Sequence, residues 1–244
     1  MKRYLMKIAY DGTDYCGWQI QSNGKTVQET IETVLGKIAK APCPIVGSGR
    51  TDSGVHARGQ YAHFDFGIDM SEQRIMLAMN SKLPRDVDIL SVKEVNGDFH
   101  ARYDAEERLY RFHLIKTKTP FNARFQSFIP RAVWDEKKIM ECAQYLLGEH
   151  DFTSFSKLNP NLKHNRSIIN KIDFQQNGEE AVFEISANRF LHNMVRRIVG
   201  TLVNICITDS DPEIISELIL QKDPTLKLIT TAPPQGLFLE NVIY

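Results

Sequence analysis

The pattern of apolar and polar positions divides the chain into short, regular segments. Lys2 to Tyr10 reads as a strand and Asp11-Gly12-Thr13-Asp14 as the loop after it. Val27, Ile31, Val34, Leu35 and Ile38 then recur at helical spacing behind Thr26-x-x-Glu29, a capping-box pair. Pro42 and Pro44 end that helix. After the β-branched pair Ile45-Val46 and a glycine-rich run, Arg58 to Phe66 alternates. Ala62, Phe64 and Phe66 fall on one side, and Tyr61, His63 and Asp65 on the other. Ser71 is placed to cap a second helix running to about Leu83, and Val87 to Val95 reads as a strand. The order strand, helix, strand, strand, helix, strand predicts helices on one face of an antiparallel sheet, with the other face open.

The second part follows the same style. A strand carries Tyr110, Phe112 and Leu114, and Asp135 opens a helix to about Leu147 with Ile139, Ala143, Leu146 and Leu147 inward. Ser167–Gln175 and Ala181–Ala187 flank Asn177-Gly178, a hairpin signal. Leu191, Val195, Ile198, Val199 and Leu202 define a buried helix, Asp211-Pro212 precedes a last one, and a strand closes the chain. An α+β protein of two similar halves is expected, residues 1–103 and 104–244.

Composition changes this picture little. The 244 residues, 42% hydrophobic and 25% charged, are ordinary for a globular chain. Four scattered cysteines without a C-x-x-C argue against zinc and against a disulfide framework. The start MKRYLMKIAYDG lacks the apolar core of a signal peptide, and no apolar run approaches bilayer length; a soluble, cytoplasmic protein is expected. Net charge is zero but unevenly spread. Residues 104–207 carry 15 Lys and Arg against 12 Asp and Glu, whereas residues 208–244 carry 2 against 6.

Two stretches suggest chemistry. Gly47-Ser48-Gly49-Arg50-Thr51-Asp52-Ser53-Gly54-Val55-His56-Ala57 sets one acid, Asp52, among Arg50, His56 and Arg58. Nearby cations lower a carboxylate pKa, so the loop suits an ionised nucleophile or base. A purely structural turn fits the same pattern equally well. Arg108 to Arg131 holds six basic residues and no acid, interleaved with Tyr110, Phe112, Phe121, Phe125 and Phe128. Cations beside flat rings suit a nucleic-acid surface, although Phe112 and Leu114 read as core. Lys157, Lys163, His164 and Arg166 form a second acid-free basic run, read as a mobile loop over RNA. His150 lies near a helix end, where packing or capping is its ordinary role.

The motifs themselves resemble a known family. GRTDSGVHA is similar to the signature GRTDAGVHA of the tRNA pseudouridine synthase A family, departing only at Ser53. YDGTDYCGWQ, RLYRF, GEHDFTSF, FLHNMVRRIVGTL and APPQGLFL resemble further family blocks in the same order. The stretch NICITDSDP lacks the glycine and lysine often found after that helix. The resemblance implies two ferredoxin-like halves forming one continuous, mostly antiparallel sheet with helices on one face and a central cleft. It implies catalysis by Asp52, with Arg196 as its cationic partner and Tyr110 against the target uracil. It implies substrate contacts by Tyr110, Arg50 and Leu237, and tRNA as the partner of a homodimer. Arg58, Lys163 and Arg166 are added as basic contacts. Trp18 is expected to be core.

Uridine isomerisation breaks the C1′–N1 bond, turns the base and joins C5 to C1′. Nothing is oxidised or imported, so no cofactor and no metal are expected. The resemblance places the target uridines at positions 38, 39 and 40 of the anticodon stem-loop. Whether Asp52 attacks C1′, attacks C6 or abstracts a proton stays open. The alternatives are a catalytically inactive tRNA-binding protein and a small-substrate hydrolase using Asp52.

Overall fold

A computed structural model describes residues 1–160 and 162–244. The first elements are β1 (Lys2–Tyr10), α1 (Val27–Ala39), β2 (Ile45–Gly47), β3 (His56–Phe66), α2 (Glu72–Asn80) and β4 (Val87–Val95). Next come β5 (Glu107–Ile115), β6 (Ser127–Phe128), α3 (Glu136–Gln144), β7 (Gly148–Asp151), β8 (Arg166–Asn177) and β9 (Glu180–Ala187). The chain ends with α4 (Met194–Thr208), α5 (Ile214–Gln221), a short 3-10 turn at Pro234–Gly236 and β10 (Leu237–Ile243). The class is α+β with mostly antiparallel strands, as the sequence predicts. The chain divides into two compact units, residues 1–106 with 238–244, and residues 107–237.

In the first unit β1 lies between β4 and β3, antiparallel to both. The other edge of β3 takes β2 antiparallel at Phe64–Ala62 and β10 parallel at His56 and Ala57. Tyr4, Met6 and Ile8 alternate into the core beside Phe64, Ala62 and Gln60. Val27, Ile31, Val34 and Leu35 of α1 and Ile75 and Met79 of α2 are buried with them. Thr26 caps α1 through Glu29 N at 3.4 Å. The second helix stops three residues short of the predicted Leu83. Asn80 turns its amide to both the N–H and the C=O of Ile89, 2.9 Å each, and ties the helix end to β4.

The opposite side of β3 is less open than its alternation predicts. Tyr61 is half-buried, but His63 is buried, because residues 99–103 fold over it. Ala101 N–H donates to His63 Nδ1 at 3.0 Å, and Tyr244 Oη donates to the Ala101 carbonyl at 2.8 Å. Burial, with Arg3 and His100 nearby, pushes the His63 pKa down to about 4.

The second unit orders its sheet β5-β9-β8-β7, antiparallel throughout, with β6 parallel to the end of β5. Asn177 pairs with Glu180, so the hairpin turn is Gly178-Glu179, and Gly178 takes φ +60°. Asp135 caps α3 through Lys138 N at 3.0 Å. That helix ends at Gln144, before the predicted Leu147. Gly148, at φ +86°, then turns the chain into β7, a strand its sequence does not advertise. The fourth helix starts at Met194, after a left-handed Asn193, and leaves Leu191 outside it. Asp211 holds Glu213 N at 2.9 Å, and α5 begins just beyond. Among the described residues no helix is long and apolar enough to cross a membrane.

Candidate active site

Asp52 lies half-buried in the connection from β2 to β3. Its carbonyl accepts Val55 N–H at 3.2 Å, closing a tight turn. The turn rests on the loop after β1 along nearly its whole length. Trp18 N–H donates to the Thr51 carbonyl at 3.1 Å, and Tyr10 Oη and Thr51 Oγ1 share a buried hydrogen bond of 2.7 Å. The Tyr15 carbonyl accepts Gly54 N–H at 3.4 Å and the Ser53 hydroxyl at 3.2 Å. Two glycines let the backbones touch. A Cβ on Gly12 would stand 1.9 Å from the Val55 oxygen, and one on Gly17 2.6 Å from the Thr51 oxygen. YDGTDYCGWQ and GRTDSGVHA are therefore one packed body, distant in sequence and continuous in space.

Polar groups facing inward complete the cradle. Gln60, fully buried on the core side of β3, accepts the Ser48 hydroxyl at 2.6 Å and donates to the Gly49 carbonyl at 3.1 Å. A buried amide must find partners, and here those partners are the entry to the Asp52 turn. Tyr15 donates to Asp86 at 2.7 Å; burial and that carboxylate raise its pKa above the ordinary range, keeping it a neutral donor. Trp18 is core, as expected. His56, wholly buried, accepts Gly12 N–H at 3.1 Å and stacks on Phe238 at 4.6 Å.

The cations around this turn differ in freedom. Arg50 is exposed, its pKa lowered by partial burial and by Arg102. Arg58 is exposed but engaged: its guanidinium lies 4.7 Å from the Phe238 ring centre and donates to Glu240 at 3.0 Å.

The second unit gathers its own candidates. Tyr110 on β5 is buried and meets Phe190 edge-on at 5.1 Å. Arg196, in the first turn of α4, donates through Nε to the Ala232 carbonyl at 2.8 Å and through Nη1 to Asn193 Oδ1 at 3.2 Å. Ala232 N–H returns a bond to the Arg196 carbonyl at 3.0 Å. The segment from Ala232 runs to Leu237, which is buried. Gly236 packs so closely that a Cβ there would be 2.2 Å from the His113 oxygen of β5. Arg196, Leu237 and β5, the strand that carries Tyr110, are thus joined through one short segment. Arg197 points elsewhere, into backbone carbonyls, a use its sequence position does not reveal.

Lys163 is exposed, and Arg166 pairs with Glu149 across β7 and β8 at 2.6 Å. His150 lies on β7, its Nε2 2.8 Å from the Leu147 carbonyl, in the expected packing role. No group of three or more His, Cys, Asp or Glu among the described residues could hold a metal ion. What the arrangement offers is a carboxylate on a packed turn in the first unit, and a buried tyrosine and a carbonyl-anchored arginine in the second.

The family model for tRNA pseudouridine synthase matches residues 6–104 and 142–244. The chain belongs to the tRNA pseudouridine synthase family. Both matched ranges contain candidates, Asp52 in the first and Arg196 and Leu237 in the second. Tyr110 falls between them. Curated relatives bridge that interval. The chain is 37% identical over 244 residues to a tRNA pseudouridine synthase A of Exiguobacterium sp., covering 100% of this chain and 98% of that one. It is 39% identical to the protein of that name from Limosilactobacillus reuteri (100% and 97% covered) and 40% identical to that from Bacteroides thetaiotaomicron (100% and 91%). In this member of the tRNA pseudouridine synthase family, the first two motifs are packed against each other around the turn that carries Asp52.

Proposed function

We propose that this protein isomerises uridine to pseudouridine in tRNA, at positions 38, 39 and 40 of the anticodon stem-loop. Family membership over most of the chain carries the reading, and the packed turn around Asp52 supports it. Asp52 is the reacting carboxylate that enables cleavage of the C1′–N1 bond and re-joining at C5. Arg196 is its cationic partner, able to depress a carboxylate pKa by roughly 1–3 units when close. Tyr110 lies against the uracil and Leu237 beneath it.

The target nucleotide must leave its stack to react, at a cost of a few kcal/mol. Arg50, exposed beside Asp52, is suited to fill the vacated space. Lys163, Arg166 and Arg58 add phosphate contacts. The protein works in the cytoplasm as a homodimer.

The test is incubation of purified protein with unmodified tRNA bearing uridines at 38 to 40, with chelator present, followed by position-resolved mapping of pseudouridine. Product confined to those positions is expected. Product elsewhere would keep the chemistry and discard the site assignment. Tight binding without product would favour the inactive tRNA-binding alternative.

A further inference from the structure

Arg197 holds a half-buried cation that donates hydrogen bonds to backbone carbonyls. Its Nη1 donates to the carbonyls of Ser154 at 3.0 Å, Ser156 at 3.1 Å and Pro224 at 3.1 Å. Burial lowers its pKa, and its Nε has no hydrogen-bond partner among the described residues. Desolvating a guanidinium is costly, and a cage of carbonyl dipoles offsets that cost only where the caged segments stay in place.

The caged segments share a location. Ser154 and Ser156 are the last turn before the basic stretch Lys157–Arg166, and Pro224 follows α5. The same junction is tied three more times. Asp223 N–H donates to Ser154 Oγ at 2.9 Å, Lys222 pairs with Asp151 at 3.0 Å, and Lys157 N–H donates to the His192 carbonyl at 3.0 Å. Arg196 grips the segment leading to Leu237, while Arg197, about 100° round the helix, grips the stem of the basic stretch.

We infer that Arg197 is a positioning residue for substrate binding: it fixes the stem of the 157–166 stretch so that its cations meet the tRNA backbone. The inference rests on the tRNA reading above. It separates two adjacent arginines into different tasks, with Arg196 serving the reacting carboxylate and Arg197 serving grip.

The experiment is steady-state kinetics of pseudouridine formation for the parent, Arg197→Asn, the pair Lys157→Ala with Lys163→Ala, and the combination. Melting curves and filter binding of tRNA are recorded alongside. Arg197→Asn is expected to raise KM and Kd for tRNA several-fold with kcat within about twofold, the mark of lost uniform binding. The combination is expected to bind no worse than the lysine pair alone, because the clamp acts through those cations. A fall in kcat at unchanged KM would place Arg197 with Arg196 and overturn the inference, as would multiplicative effects in the combination. Should Arg197→Asn not fold, Arg197→Lys keeps the charge without the three-carbonyl reach and is expected to show the same KM rise. Failure of both to fold would assign the residue to the fold alone and overturn the proposal. Absence of product with the unaltered protein would sink the activity reading itself, and it is seen without any variant.

Discussion

The turn that carries Asp52 and the segment that carries Lys157, Lys163 and His164 ahead of β8 both lie between ordered elements, yet they are built oppositely. The first is held from below by backbone and buried side chains at Thr51, Ser53, Gly54, Ser48 and Gly49. The second is gripped at its stem, by Arg197 and by the Lys157 amide, and presents Lys157, Lys163 and His164 to solvent. Chemistry on a carbon atom needs a carboxylate placed within a fraction of an ångström, whereas a phosphate backbone can be met by a cation on a long, adjustable stem. Rigidity is concentrated where bond-making is proposed, and reach where charge suffices.

Removing the carboxylate proposed to react should show the largest difference. Asp52→Ala is expected to abolish pseudouridine formation while tRNA affinity stays within a few-fold, because phosphate contacts dominate binding. Activity persisting in that variant would end the assignment. Next comes the cradle. Gly12→Ala places a methyl 1.9 Å from the Val55 oxygen, so the turn must shift. A displacement near 1 Å costs about a hundredfold in rate. A kcat within a few-fold of the parent would mean that the turn tolerates movement and that the contrast drawn above is wrong.

Acid provides a third test. His63 accepts a backbone N–H and has a folded pKa near 4, against 6.5 for the unperturbed ring. A depressed folded pKa means that the unfolded chain takes up the proton first. The stabilisation is therefore full above about pH 6.5 and is lost as pH falls toward 4, by roughly 3 kcal/mol at most. Denaturant melts of the parent should show this slope. His63→Asn, which can still accept a hydrogen bond but does not titrate, should flatten it; an equal slope in both would clear His63 of the effect. The smallest effect is expected at the basic positions at and just before the start of β8. Lys163→Ala with Arg166→Ala should lower the slope of log affinity against log salt by up to about 0.7–0.9 for each phosphate left without its cation. An unchanged slope would remove both residues from the RNA surface. The ion pair between Arg166 and Glu149 predicts that Lys163 makes the larger contribution.

Much of this architecture is legible in the chain itself. Alternation marks β1 and β4 at their observed limits, and the Asn177-Gly178 signal marks the hairpin. Local rules fail where distant chain decides the outcome. His63 reads as an outward position and is buried because residues 99–103 return over it. The strand at Gly148–Asp151 depends on pairing with β8, and nothing in GEHD announces a strand. For the site, the motif resemblance points to Asp52, but the reason for YDGTDYCGWQ becomes visible only as packing. Gln60 is the available clue, an amide at a core-facing position of β3, and a buried amide implies partners nearby. Arg197 offers no such clue beyond being a cation on a mostly apolar helix.

The pairing of β10 with the start of β3 has a consequence for synthesis. His56 stacks on Phe238, and Phe238 and Leu239 lie beside His56 and Ala57. As the nascent chain leaves the ribosome, the exit side of the Asp52 turn waits for its neighbour until residues 238 and 239 have been made, while residues 107–237 form a contiguous unit that can collapse earlier. A message cut short before codon 238 would yield a chain whose second unit is whole and whose first lacks its closing strand. Such a product would keep the basic 157–166 stretch but leave the Asp52 turn unsupported, so termination before residue 238 is expected to cost turnover before it costs the ability to hold RNA.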